Sequence, residues 1–234
     1  MTREPVTVVI PVGPEPHHRT WLGEAVISVA EQSSGGDRVL LINDGGPPIP
    51  ASWVDDLQGQ LPMVTENRMP WCMGVTGAFN AGVGLSDPYR HGAADSDLVL
   101  MIGGDDKLLP GAIDACVETW EAHDRADGYY WMTIEYSDDR ADKIQALPCH
   151  AVMVTRGLWD ETGGFPPETA SGAPDAAFIS MLMVHKPEAL IPVKLGDPLY
   201  WVRVHENQDT AGRGPWQPII MSTRDLLTKR GFQP

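Results

Sequence analysis

The chain has 234 residues, 42% of them hydrophobic, enough to bury the core of one large domain or two small ones. Its net charge of −15, from 32 acidic and 17 basic residues, speaks against a polyanion as main partner, since phosphate neutralisation needs clustered Lys and Arg; it suits a chain that concentrates a divalent cation. No apolar run approaches the roughly 18 residues of a membrane span, and the opening MTREPVTVVIPVG is too short in its apolar part for a signal peptide, so a soluble, cytoplasmic protein is expected.

The first element is VTVVIPV (Val6–Val12), β-branched and continuously apolar, as in a strand buried on both faces. TWLGEAVISVAEQ follows with Leu22, Ala25, Val26 and Val29 at helical spacing. RVLLIND (Arg38–Asp44) is a second buried strand ending at a Gly-Gly-Pro-Pro turn. Trp53, Val54 and Leu57 suggest a short helix, and MVTEN a brief third strand. GVTGAFNAGVGL (Gly74–Leu85) is a helix of small residues that can approach a sheet closely. DLVLMI (Asp97–Ile102) is the next strand, and PGAIDACVETWEAH a helix with Pro110 near its first turn. Beyond residue 125 the rhythm changes. GYYWMTIEY and AVMVT read as strands, RGLWDETGGF as a short helix closed by glycines and PDAAFISMLMVH as a helix; ALIPVKL and PLYWVRVH read as two further strands. Cys72, Cys116 and Cys149 match no zinc spacing and no disulfide framework, and are expected as reduced thiols.

Alternation of strand and helix through about residue 125 implies a parallel sheet with helices on its faces. Ligands bind such sheets beyond the carboxyl ends of the strands. Asp44 and the pair Asp105–Asp106 both stand at such ends. Adjacent carboxylates on a loop are hard oxygen ligands, suited to Mg²⁺ or Mn²⁺ that also accepts substrate phosphates. A polar turn feeding the helix at Pro110 is the plainer use of the same two residues.

The series TVVIPV, LGEAVISVAEQ, VLLINDGG, GVTGAFNAG, DLVLMIGGDDKLLPGAI, VMVTRGLWDETGGF, GAPDAAF and YWVRVHENQ resembles the glycosyltransferase family 2 type of the GT-A fold over about residues 6–208. The resemblance implies a Rossmann-like α/β fold, with a mostly parallel central sheet flanked by helices and mixed in its C-terminal half. It implies one domain, 1–234, with a nucleotide-sugar half to about residue 125 and an acceptor and catalytic-base half after it. It further implies a metal-dependent, inverting transfer from a nucleotide-diphospho-sugar, expected to be a UDP-sugar, to an acceptor hydroxyl. Pro11, Val12 and Asp44 would meet the base and ribose. Asp105, Asp106 and His205 would hold Mn²⁺ or Mg²⁺, with Asp105 also at the donor. Asp175 would be the general base. Arg213, in the glycine-rich stretch after His205, would reach the diphosphate.

The chain departs from the family pattern in several places. Gly103 stands where an aspartate often precedes the pair, Asn43-Asp44-Gly45-Gly46 replaces Asp-Asp-Gly-Ser, Phe79 replaces the arginine of Ala-Arg-Asn, and Pro174 replaces the glutamate before the base. These departures keep open an alternative, a catalytically degenerate binder of nucleotide sugar or glycan. A sugar nucleotidyltransferase would need a basic glycine-rich loop after the first strand, which GPEPHHRT does not supply; His17, His18 and Arg19 there read as solvated loop residues. Among Tyr130, Trp131, Tyr136 and Trp159, the plain reading is core packing, with Trp131 kept as a candidate sugar platform. Neither the sugar nor the acceptor is written in these patterns.

Overall fold

The computed structural model describes residues 3–34, 36–50, 52, 64–85, 97–137, 151–166 and 174–206. The expected helix around Trp53–Leu57, Cys149 and Arg213 lie outside the described residues.

The first half builds β1 (Val6–Val12), α1 (Leu22–Ala30), β2 (Arg38–Asn43), β3 (Val64–Arg68), α2 (Gly74–Leu85) and β4 (Leu98–Met101). After it come β5 (Lys107–Leu108), α3 (Ala112–Ala122), β6 (Tyr129–Tyr136), β7 (Val152–Thr155), α4 (Arg156–Thr162), α5 (Pro174–His185) and β8 (Leu190–Val202). The eight strands form one sheet in the order β3-β2-β1-β4-β7-β6-β8-β5. β1 pairs in parallel with β2 and β4, β2 with β3, and β6 with β8; β7 runs against β4 and β6, and β5 against β8. Six strands therefore point their carboxyl ends toward one edge, and β5 and β7 point away from it. This is the α/β sheet, parallel as the alternation implied and mixed later as the family resemblance implied.

The core lies on both faces because side chains alternate along each strand. Val6, Val8, Ile10 and Val12 of β1 face α1 and α3, packing with Leu22, Val26, Val29, Ile113 and Val117. Val9 faces the other way, with Phe79 and Val83 of α2, Leu158 and Trp159 of α4, and Phe178 and Leu182 of α5. Small residues on α2 do allow close approach: a Cβ on Gly82 would lie 2.2 Å from Val9 Cγ1. α4 is capped at both ends as its sequence indicates. Thr155 accepts from the Leu158 N–H at the start, and Gly163 takes φ 75° at the finish.

Two elements differ from the sequence reading. ALIPVKL and PLYWVRVH are one strand, β8, interrupted between Val193 and Pro198; Lys194 and Gly196 take positive φ of 43° and 103°, and the register on β6 resumes at Pro198 opposite Thr133. Periodicity saw the Gly-Asp-Pro break as a loop because these residues leave the ladder, but the pairing resumes on the same neighbour. Second, Lys107–Leu108 forms a two-residue edge strand on β8, too short for any pattern to mark. Pro110 stands just before the α3 N-cap, Gly111, near the first turn as its sequence indicates.

Of the aromatic candidates, Tyr130 and Trp159 are buried in the core, and Tyr136 and Trp131 are half-buried against it. Among the described residues no helix is long and apolar enough to cross a membrane.

Candidate functional site

The carboxyl ends of β1, β2 and β4 bring Pro11, Val12, Asp44, Asp105 and Asp106 to one edge. Val12 closes β1, and its carbonyl accepts from the Asp44 N–H at 2.9 Å. Asp44 is 3% exposed; its Oδ1 accepts from the Met73 N–H at 2.7 Å and its Oδ2 from the Cys72 thiol at 3.2 Å. The carboxylate thus pins the segment entering α2 against the end of β2. Gly45, at φ 79°, makes this possible, since a Cβ there would lie 2.6 Å from the Cys72 nitrogen. A backbone hydrogen bond at Gly74 pulls the Cys72 thiol down, but partial burial and the Asp44 carboxylate outweigh it and the thiol is raised.

The loop after β4 passes close beside β1. A Cβ on Gly104 would stand 3.0 Å from the Pro11 carbonyl oxygen, so Pro11, Val12, Asp44 and the acidic pair share one stretch of the edge.

Asp105 and Asp106 divide their surroundings. Asp106 is 3% exposed; its Oδ2 accepts from the Tyr200 hydroxyl at 2.8 Å and its Oδ1 from the Arg203 N–H at 3.0 Å. Tyr200 is wholly buried, and its hydroxyl oxygen also accepts from the Gly103 N–H at 2.8 Å. Burial, then the Asp106 charge, pushes this phenol well above its ordinary range, so it serves as a donor throughout the accessible pH range. Asp105 is more open, and its Oδ2 lies 2.9 Å from His205 Nε2. The two carboxylates converge on Gly103, where a Cβ would meet Asp106 Oδ2 at 2.7 Å and Asp105 Oδ1 at 2.9 Å. The glycine that replaces an aspartate is therefore what gives the pair its room.

A divalent cation fits the open half of this cluster. Asp105 Oδ2 and His205 Nε2, 2.9 Å apart, are an oxygen and a nitrogen donor that would hold such a cation between them. One carboxylate and one imidazole are a suitable donor set for Mn²⁺ or Mg²⁺ whose other positions are filled by phosphate and water. No group of three or more His, Cys, Asp or Glu side chains gathers in metal-holding geometry among the described residues. The second aspartate is instead committed to Tyr200 and Arg203.

Asp175 belongs to another layer. It is 8% exposed in the first turn of α5, whose Phe178 and Leu182 pack beneath the opposite face of the sheet. Asn80, the last residue of the family-like Ala78-Phe79-Asn80, donates to the Phe165 carbonyl at 2.9 Å and accepts from its N–H at 3.0 Å, fastening α2 to the chain leaving α4. His17, His18 and Arg19 form a short 3-10 turn after β1; Arg19 donates to the Pro47 carbonyl and, at 3.4 Å, to that of Pro48.

The family model described as Glycosyl transferase family 2 matches residues 7–164, more than half of the chain. The chain belongs to glycosyl transferase family 2. No curated protein matches it. Among solved structures, S. aureus TarS 1–349 in complex with UDP-GlcNAc superposes with a TM-score of 0.71 at 12% identity, over 95% of this chain and 65% of that one. The mannosyltransferase PcManGT from Pyrobaculum calidifontis, in complex with GDP-Man and Mn²⁺, gives a TM-score of 0.63 at 16% identity, over 94% and 69%. At such identities these likenesses establish the GT-A fold. The chain spans 37% of the longer TarS structure and just under two thirds of TarS 1–349.

Tyr200, Arg203 and Trp21 were not singled out by sequence reasoning. Trp21 did carry a signal: it occupies the N-cap of α1, where a short polar side chain is preferred, and makes no capping hydrogen bond.

Proposed function

We propose that this glycosyltransferase moves a sugar from a nucleotide-diphospho-sugar to an acceptor hydroxyl, with a divalent cation held by Asp105 and His205. The observation that carries the reading is the 2.9 Å pairing of Asp105 with His205 at the strand edge that also holds Val12 and Asp44. The bound donors of the two structural neighbours, UDP-GlcNAc and GDP-Man, support a nucleotide sugar as substrate. We take a UDP-sugar as the first candidate.

Each residue has a part in this scheme. Pro11, Val12 and Asp44 border the base and ribose. Asp106, held by Tyr200 and the Arg203 N–H, positions the loop that carries Asp105. A cation bound at Asp105 and His205 supplies charge stabilisation for the departing diphosphate. Asp175 takes the proton from the attacking acceptor hydroxyl, and a single displacement inverts the anomeric carbon. Its place in the first turn of a twelve-residue helix suits a carboxylate that must keep one orientation. Arg213 is assigned to the diphosphate.

The test is release of nucleoside diphosphate from a panel of UDP- and GDP-sugars with Mn²⁺, alone and with an extract of cellular glycans and lipids as acceptor pool. Turnover of one donor, lost in Asp175→Asn while donor binding persists, supports the scheme. Saturable nucleotide binding without any turnover would favour the degenerate binder.

A further inference from the structure

His205 is held in an unusual way. A ligating histidine normally donates its second ring nitrogen to a carboxylate or carbonyl, which fixes the ring. Here Nε2 faces Asp105, while Nδ1 is buried and finds no partner among the described residues. With Nε2 on Asp105, no second hydrogen bond among the described residues fixes the tilt of the imidazole.

A tilted ring contact supplies that restraint. The Trp21 ring lies 4.5 Å from the His205 ring, centroid to centroid. The Arg203 guanidinium sits 4.8 Å from the Trp21 ring and 4.8 Å from that of Trp201. Lys107 Nζ lies over the Trp201 ring at 4.2 Å. Lys107, Trp201, Arg203, Trp21 and His205 thus form a ladder in which two cations lie over tryptophan rings and Trp21 meets the imidazole. Each cation faces the electron-rich side of an aromatic ring.

The ladder is anchored at two points. Glu24, one turn into α1, accepts from Arg203 Nη2 at 2.8 Å and pairs with Lys107 Nζ at 3.4 Å. Arg203 Nε donates to the Asp105 carbonyl at 3.0 Å. Trp21 and Glu24 come from α1, Lys107 from β5, and Trp201 and Arg203 from the end of β8. Three elements distant in sequence converge on one imidazole.

We propose that Trp21 is a positioning residue for His205: with Arg203 and Trp201 it locks the imidazole against Asp105, replacing the hydrogen bond that Nδ1 lacks. The role in metal holding rests on the function proposed above; the locking of the ring does not.

The test therefore has two arms, using the full chain and its Trp21→Ala, Trp21→Phe and Arg203→Lys variants. The first is the long-range ¹H–¹⁵N spectrum of the His205 ring without metal. Wild type and Trp21→Phe, which keeps a ring, give one sharp Nε2 signal characteristic of a proton shared with a carboxylate. Trp21→Ala and Arg203→Lys broaden or shift it toward the value of free imidazole. An unchanged signal in Trp21→Ala overturns the proposal. Because a general loss of packing would also move other resonances, the remaining histidines must keep their wild-type shifts; parallel changes in all of them overturn it too. The second arm counts free Mn²⁺ by electron paramagnetic resonance in the presence of UDP. Trp21→Ala weakens Mn²⁺ by about tenfold, the scale of losing an orienting contact, and Trp21→Phe restores it to within about threefold. If wild type binds no Mn²⁺, the metal reading fails while the ring spectrum still decides the ladder.

Discussion

Removing the Tyr200 hydroxyl tests how the acidic loop is held. In Tyr200→Phe two hydrogen bonds disappear, the one donated to Asp106 Oδ2 and the one accepted from the Gly103 N–H, both 2.8 Å. A hydrogen bond to a charged group contributes about 1.5–3 kcal/mol, and a buried donor left without a partner costs about 1–3 kcal/mol. Tyr200 is 0% exposed and Asp106 3%, so water cannot readily replace either bond. Allowing for relaxation, the loss should be about 3 kcal/mol. For a chain of this size that corresponds to a melting temperature lower by about 10 °C. The assay is urea unfolding followed by tryptophan fluorescence, with the slope unchanged and the midpoint lowered. Adding Asp106→Asn and the double variant closes a cycle whose coupling should be at least about 1 kcal/mol. A loss under about 0.5 kcal/mol, or no coupling, would refute the claim that Tyr200 holds Asp106.

The remaining predictions concern crowding and alkaline pH. Gly103→Asp, which restores the carboxylate common in the family, should lower stability by about 1–3 kcal/mol and fail to raise Mn²⁺-dependent turnover, because its Cβ would enter within 2.7 Å of Asp106 Oδ2 and 2.9 Å of Asp105 Oδ1; a more active, equally stable variant contradicts this. Burial pushes the Cys116 thiol up to about 12 and, with Asp127 beside it, the Tyr130 phenol up to about 12. In the unfolded chain these groups lose their protons near pH 8.5 and 10, so the unfolded state binds fewer protons above those values. Stability is then fully present below about pH 8.5 and falls as pH rises toward 12. Cys116→Ala should flatten that fall between about pH 9 and 11 in denaturant titrations, and an unchanged slope contradicts the assignment.

Much of the fold was legible because its signals are local. Apolar runs such as Val6–Val12 and Arg38–Asn43 are strands buried on both faces, and Asp44, directly after the second, falls at the carboxyl edge. His205 was legible for the same reason, as a polar residue closing an apolar strand. The ladder was not. Tyr200 meets Asp106 across 94 positions and Arg203 meets Glu24 across 179, and an aromatic inside an apolar strand looks like any core residue until its partner is known. Joining two apparent strands into β8 likewise depends on β6, which pairs with both halves across the break. In the site, charge marked Asp105 and Asp106 equally. The difference between an open carboxylate and a buried anchor lies in tertiary contacts that the dipeptide does not encode.

The central claim is that Asp105 and His205 hold a divalent cation where the donor diphosphate binds. Calorimetric titration of UDP into wild type and Asp105→Asn, each with Mn²⁺ and with EDTA, tests it most directly. The account predicts that Mn²⁺ tightens UDP binding at least about tenfold in wild type, as expected when cation and phosphate share a site, and that Asp105→Asn abolishes this gain while folding normally. Equal UDP affinity with Mn²⁺ and with EDTA, or an undiminished Mn²⁺ effect in Asp105→Asn, would contradict it.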